Sequence, residues 1–137
     1  MVQQWTLRIQ VKCYPNPGQE TIEYVLCNNV LNKVIHRKRD IRGTKMNEEA
    51  YYISLIEGLK KARMYIANGI SVYTNYELVC RYMKGIYQDR KANLKPLHVE
   101  ARTIVGEFHF LRSTNIQILI GFQLNYWLGK CQLQGGV

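Results

Sequence analysis

Positions 5–13 alternate without a break: Trp5, Leu7, Ile9, Val11 and Cys13 fall on one side, Thr6, Arg8, Gln10 and Lys12 on the other. A period of two is that of a half-buried strand. Tyr14-Pro15-Asn16-Pro17-Gly18 ends it, because two prolines and a glycine cannot continue a hydrogen-bonded ladder. The β-prone runs 22–26 and 30–35, with Asn28-Asn29 between them, read as a hairpin. Residues 36–45, HRKRDIRGTK, read as a basic connection. The period then changes. Tyr52, Leu55, Ile56, Leu59, Ala62 and Ile66 recur at three- and four-residue steps and predict an amphipathic helix over 47–67. Asn47 is placed to cap it, Glu48 and Glu49 suit its positive end, and Asn68-Gly69 stops it.

Residues 70–73 read as a short strand. Asn75 is placed to cap a second helix over 76–86, and Asn93-Leu94-Lys95-Pro96 opens a third to about 105. Residues 108–111 read as a last short strand. Over 116–128 the pattern fits two elements. Ile116, Ile118, Ile120, Phe122, Leu124 and Tyr126 alternate, yet Leu119, Trp127 and Leu128 break the polar side, so a strand and a buried helix both fit. The order is three strands, helix, strand, two helices, strand, helix. A strand–helix–strand unit after a meander implies an α/β fold, a mixed sheet with helices on its faces. One domain is expected over 1–131, followed by a frayed tail at 132–137.

Length and composition fit one globular domain: 137 residues, 47% hydrophobic and 21% charged. Charge changes the picture more. Nineteen Lys and Arg against ten acids leave a net charge of +9, and only Asp40 and Asp89 among the acids are aspartates. Such a balance favours polyanionic partners. The opening MVQQWTLRIQ lacks a basic region before an apolar run, and 116–128 is too short to span a bilayer. Cys13, Cys27, Cys80 and Cys131 form no CxxC pair, which fits free thiols in a reducing compartment, cytoplasmic or nuclear. His36, His98 and His109 have no ligand spacing, so no zinc site, and no cofactor, is implied.

Four segments carry a family resemblance. Asn16-Pro17-Gly18 resembles the NPG that ends DGxxxxNPG after the first strand of plant and bacterial ribonuclease H-like domains of type 1, the reverse-transcriptase-associated group included. EAYYISLIEGL at 49–59 resembles the helix motif EAEYxALIxGL, and VYTNYELV at 72–79 resembles VxGDSxLV. His109-Phe110-Leu111-Arg112, followed by Asn115, resembles the late HxPR…N motif before the final helix. The matches fall in order along nearly the whole chain. They imply the ribonuclease H-like fold: a five-stranded mixed sheet, three strands antiparallel and then parallel ones, flanked by helices.

In that family two divalent cations sit between carboxylates and drive phosphodiester hydrolysis. By ungapped matching the acid positions fall at Gln10, Tyr51, Asn75 and, in the final helix, about Leu119. All four are uncharged. No acid stands within 1–19 or from 108 to the end, and Glu77 alone is near Asn75. Glu48 and Glu49 are explained as N-terminal helix charges. The resemblance therefore implies the fold without a metal site, since Mg²⁺ needs hard anionic oxygens.

Gln10, Tyr51 and Asn75 are expected to converge at the sheet's edge, as a converted pocket that stacks and hydrogen-bonds a base or peptide, or as a plug filling the vacated space. Arg37, Lys38, Arg39, Arg42 and Lys45 stand against Asp40 alone, Lys60, Lys61 and Arg63 extend a helix face, and Lys84, Arg90, Lys91 and Lys95 flank the second and third helices. These residues are candidates for phosphate contact, or simply solvated charge. Three functions follow. One is a catalytically silent module binding RNA or an RNA–DNA hybrid. A second is a protein-interaction module, as in degenerate domains beside plant ubiquitin-ligase modules, using the chain's ten tyrosines and 116–128. The third is an active metal-dependent nuclease, which the missing aspartates oppose.

Overall fold

The alternation at 5–13 is borne out as strand β1 (Gln4–Cys13). The structure, a computed structural model, describes residues 4–13, 19–28, 30–44, 47–74, 76–84, 92–111 and 114–120. Along the chain β1 is followed by β2 (Gln19–Asn28), β3 (Lys33–Arg42), α1 (Asn47–Ala62), β4 (Gly69–Thr74), α2 (Glu77–Met83), α3 (Lys95–Leu111) and β5 (Asn115–Ile120). The five strands form one sheet in the order β3-β2-β1-β4-β5. β1 pairs antiparallel with β2 and β2 with β3, whereas β1–β4 and β4–β5 are parallel. This is the expected mixed sheet, with α1 leading from the meander into its parallel half.

Trp5, Leu7, Ile9 and Val11 meet α1 and join one core with Ile70, Val72, Ile116 and Ile118. Val79, Cys80 and Met83 of α2 and Ala101, Ile104 and Phe108 of α3 complete it. At Gly58 of α1 an added Cβ would stand 2.8 Å from Leu7 Cδ1. Only glycine lets helix and strand approach so closely there. Glu48 and Glu49 in the first turn and Lys60 and Lys61 in the last complement the helix dipole.

Several element boundaries differ from the sequence expectation. The basic run is strand, not connection: β3 continues through 36–42 as the outer strand of the sheet. An outer strand keeps its backbone pairing on one side while most of its side chains stay wet, so it needs no apolar alternation. The hairpin turn falls at 30–32, closed by Asn32 at φ 55° and by Leu31 N–H donating to Asn28 Oδ1 at 3.1 Å. Val30 thus lies in the turn and not in a strand.

Helix α1 stops at Ala62 instead of 67. Trp5 Nε1 donates to the Ile66 carbonyl at 3.1 Å, which holds that segment out of the helix, and Ile66 is 85% exposed. Asn47 does not cap α1, as its Oδ1 is buried without a hydrogen-bond partner. At α2 the capping position is Tyr76, with no side-chain cap bond, and Asn75 lies outside the described residues. The expected strand at 108–111 is the last turn of α3. Ala101, Ile104 and Phe108 continue its helical period, while Phe110 and Leu111 face water. His109 and Phe110 therefore precede the last strand of the sheet rather than a final helix, and Leu119 lies on β5. The alternation from Ile116 is strand as far as Ile120, and the remainder of 116–128 and the tail lie outside the described residues.

Candidate nucleic-acid interface

The parallel ladder β1–β4 ends at the pair Ile9↔Thr74. Gln10 is the next residue of β1, opposite Glu23 of β2, and Asn75 lies outside the described residues. Tyr51 is placed against a different partner. Its ring, 8% exposed, stacks on Tyr76 with centroids 4.3 Å apart and planes 17° from parallel. Tyr76 O–H donates to Glu48 at 3.0 Å, and Tyr76 N–H donates to Thr74 Oγ1 at 3.1 Å. Burial, with nearby Cys13 adding to it, pushes the Tyr51 hydroxyl up to about 12. Burial also raises the Tyr76 hydroxyl, with the bond to Glu48 second, and it raises the Cys13 thiol, helped by Glu20 and Glu48. These groups stay protonated and neutral at pH 7.

A cation is built into the face of β1 that Gln10 shares, away from α1. Arg8 is two residues from Gln10 on the same side of β1 and only 7% exposed. Its guanidinium lies 5.1 Å from the Tyr73 ring centroid and Nη1 donates to Cys27 Sγ at 3.7 Å. Leu119 pairs with Tyr73 across β5. Among the described residues no group of three or more His, Cys, Asp or Glu is arranged to hold a metal ion.

Strand geometry divides the basic cluster. Arg37 stands opposite Tyr24 and Arg39 opposite Ile22, both on the face that meets α1. Lys38 stands opposite Glu23 and Arg42 opposite Gln19, on the other face. On the α1 face Glu57 accepts three bonds from Arg39, from Nε at 3.0 and 3.1 Å and from Nη2 at 2.6 Å. This bidentate bond raises the guanidinium's pKa. Lys60 pairs with Glu100 at 2.9 Å and Arg63 with Glu107 at 3.2 Å. Arg37 and Lys61 form no ion pair among the described residues. Between them opens a groove of about 360 Å³, lined by Tyr24, Arg37, Glu57, Lys60, Lys61 and Met64.

On the far face Glu23 holds His36, and Thr21 Oγ1 donates to Asp40 at 2.7 Å. Lys84, at the C-cap of α2, and Lys95, at the start of α3, are exposed. Lys45, Arg90 and Lys91 lie outside the described residues. The sequence reading missed the facing of β3 by Glu57, Lys60 and Lys61. Their i, i+3, i+4 spacing puts them on one side of the helix, but nothing in the chain says that a strand lies beside it.

The fold is shared with solved ribonucleases H. Over 89% of this chain and 89% of the other, it superposes on the N-terminal RNase H domain of a Mycobacterium tuberculosis protein, with TM-score 0.76 and 23% identity. LC11-RNase H1, solved in complex with RNA/DNA hybrid, gives TM-score 0.71 and 24% identity over 85% and 84% of the two chains. RNase H1 of Halobacterium salinarum gives 0.68 and 19% over 90% and 88%. No family model and no curated protein matches the chain. Likeness at this level of identity shows the ribonuclease H-like fold.

Proposed function

We propose that this chain is a catalytically silent ribonuclease H-like module that binds nucleic acid through the basic surface of β3 and α1. The observation that carries the binding half is Arg37 and Lys61, two cations without counter-ions beside a groove on a chain of net charge +9. Phosphates are their natural ligands. Silence is supported by Gln10 and Tyr51, which by the motif matching stand where the family has acids, and by the stack of Tyr51 on Tyr76. A divalent cation beside the stack would meet neutral phenols instead of hard anionic oxygens.

Two measurements test this. Purified protein incubated with a labelled RNA–DNA hybrid and Mg²⁺ or Mn²⁺ leaves it intact. Cleavage that disappears in a Tyr51→Ala variant would sink the proposal. Affinity for RNA or hybrid drops steeply between low and physiological salt, by about tenfold or more for a few phosphate contacts. Salt-independent binding would remove the electrostatic basis.

A second reading rests on a separate observation. Val30 and Leu31 in the β2–β3 turn, Met64 and Ile66 after α1, and Phe110 and Leu111 at the end of α3 are exposed. They gather at the end of the sheet where β1 and β4 begin, since the Ile66 carbonyl bonds to Trp5 and Thr114 Oγ1 bonds to the Ala67 carbonyl. Exposed apolar residues grouped this way suit a protein partner. A stable partner retained after nuclease treatment would favour it.

A further inference from the structure

Five arginines and lysines on one ten-residue strand have a plain explanation. An outer strand offers unpaired backbone groups, and charge keeps it from pairing with other chains. That explanation is indifferent to which face carries the charge. The two faces of β3 are not alike. On the far face Lys38 stands directly opposite Glu23, and Asp40 ends the row Lys12–Thr21–Asp40. Cations and acids share those rows and screen each other. On the α1 face Arg37 and Arg39 stand opposite Tyr24 and Ile22, and the one acid of β2 on that face, Glu20, is buried opposite Ile41 and accepts a bond from Thr44 Oγ1 at 2.6 Å. The helix adds Lys60 and Lys61 and one carboxylate, Glu57, already held by Arg39.

The α1 face is also concave. The groove lies between a strand and the last two turns of a helix, with Tyr24 and Met64 as apolar lining. Apolar walls beside unneutralised cations strengthen the local field. The planar fork of Arg37 and the point charge of Lys61 suit the oxygens of a phosphodiester. The groove is distinct from the corner occupied by Tyr51 and Tyr76. Residues 51 and 61 are ten apart along α1, about 15 Å at the rise of a helix.

We infer that this groove seats a backbone phosphate of a nucleic acid, with Arg37 and Lys61 as its ligands and Glu57 as a restraint on its affinity. The inference rests on the nucleic-acid reading above and adds the face, the ligands and a sign. Glu57 opposes the phosphate directly and keeps Arg39 engaged. Its neutralisation removes one negative charge and frees one guanidinium, so loss of this acid tightens binding.

The test is fluorescence anisotropy with a labelled single-stranded RNA oligonucleotide, at several salt concentrations, on the full chain and on variants with exposed substitutions. Arg37→Gln with Lys61→Gln weakens binding by about tenfold or more and lowers the salt slope by about one, the slope being roughly 0.7 per phosphate contact on single strands. Lys38→Gln with Arg42→Gln, on the other face, changes affinity by less than about threefold, and Glu57→Gln strengthens it several-fold. Circular dichroism confirms that each variant is folded. Equal losses from the two faces, or weaker binding by Glu57→Gln, would overturn the groove while leaving the nucleic-acid reading in place. A wild-type protein that binds an acidic peptide and no RNA would overturn both.

Discussion

The two ends of α1 have gone in opposite directions. At its first turns Tyr51 is buried against Tyr76, and the polar groups around them are protonated or bonded to one another. At its last turns Glu57, Lys60 and Lys61 face Arg37 and Arg39 of β3 across an open groove. Yet the helix is packed by one set of residues throughout, with Ala50, Tyr52, Leu55 and Leu59 in the core and Gly58 close against Leu7 of β1. Packing positions therefore hold the fold, and Glu57, Lys60 and Lys61, outside that set, fix the charge of the last turns. A neutral stacked pair at one end and gathered cations at the other put the helix's exposed charge at its last turns.

The strongest way to break this contrast is to place an acid at the first end. Tyr51→Glu puts a carboxylate beside Glu48 in a site built for a stacked ring. The loss of packing and the unpaired buried charge cost about 3–5 kcal/mol. Urea unfolding with and without Mg²⁺ checks it. The expected result is a large drop in midpoint that Mg²⁺ does not restore. Recovery of the midpoint by Mg²⁺ would mean that the corner still gathers cations, and the contrast would fail.

A smaller effect comes from alkali. The Tyr51 hydroxyl is pushed up to about 12, whereas in the unfolded chain a tyrosine ionises near 10. Between those values the folded chain holds the proton and the unfolded chain has lost it. Stability is therefore full below about pH 10 and falls as pH rises toward 12. Tyr76 and Cys13 are raised by burial as well and act in the same direction. Tyr51 alone accounts for about 1–2 kcal/mol once solvent at the hydroxyl is allowed for. In Tyr51→Phe, chemical denaturation curves at pH 8 and pH 11 should differ less than in wild type. An unchanged difference would mean that the phenol does not sense burial.

Much of this was legible from periodicity, and the failures share a cause. β1 and the start of α1 are read correctly because each buries one side and leaves the other wet, so the pattern reports the geometry. β3 fails that condition. Only Ile41 in it is buried, and a strand wet on both faces looks like a loop. Ile66 and Phe110 fail in the opposite sense, since they continue apolar patterns but stand in water. The neutrality of the corner was readable residue by residue at Gln10 and Tyr51. The stack on Tyr76 was not, because it joins α1 to the start of α2 across 25 positions. The pairing of Arg39 with Glu57 likewise needed β3 to be a strand before it could be seen.

The smallest effect sharpens the other end of the helix. The Arg39–Glu57 pair has good bidentate geometry, but its side chains are 48% and 33% exposed. Water and salt screen charges so placed, and ordering two long side chains opposes the gain. A double-mutant cycle with Arg39→Ala and Glu57→Ala should give a coupling below about 1 kcal/mol that declines with added salt. Such a value leaves the charges at this end largely free of structural duty, so that they can be redirected to a phosphate at little cost in stability. A coupling of several kcal/mol would instead make the cations of β3 part of the scaffold, and the two ends of α1 would then differ in chemistry but not in purpose.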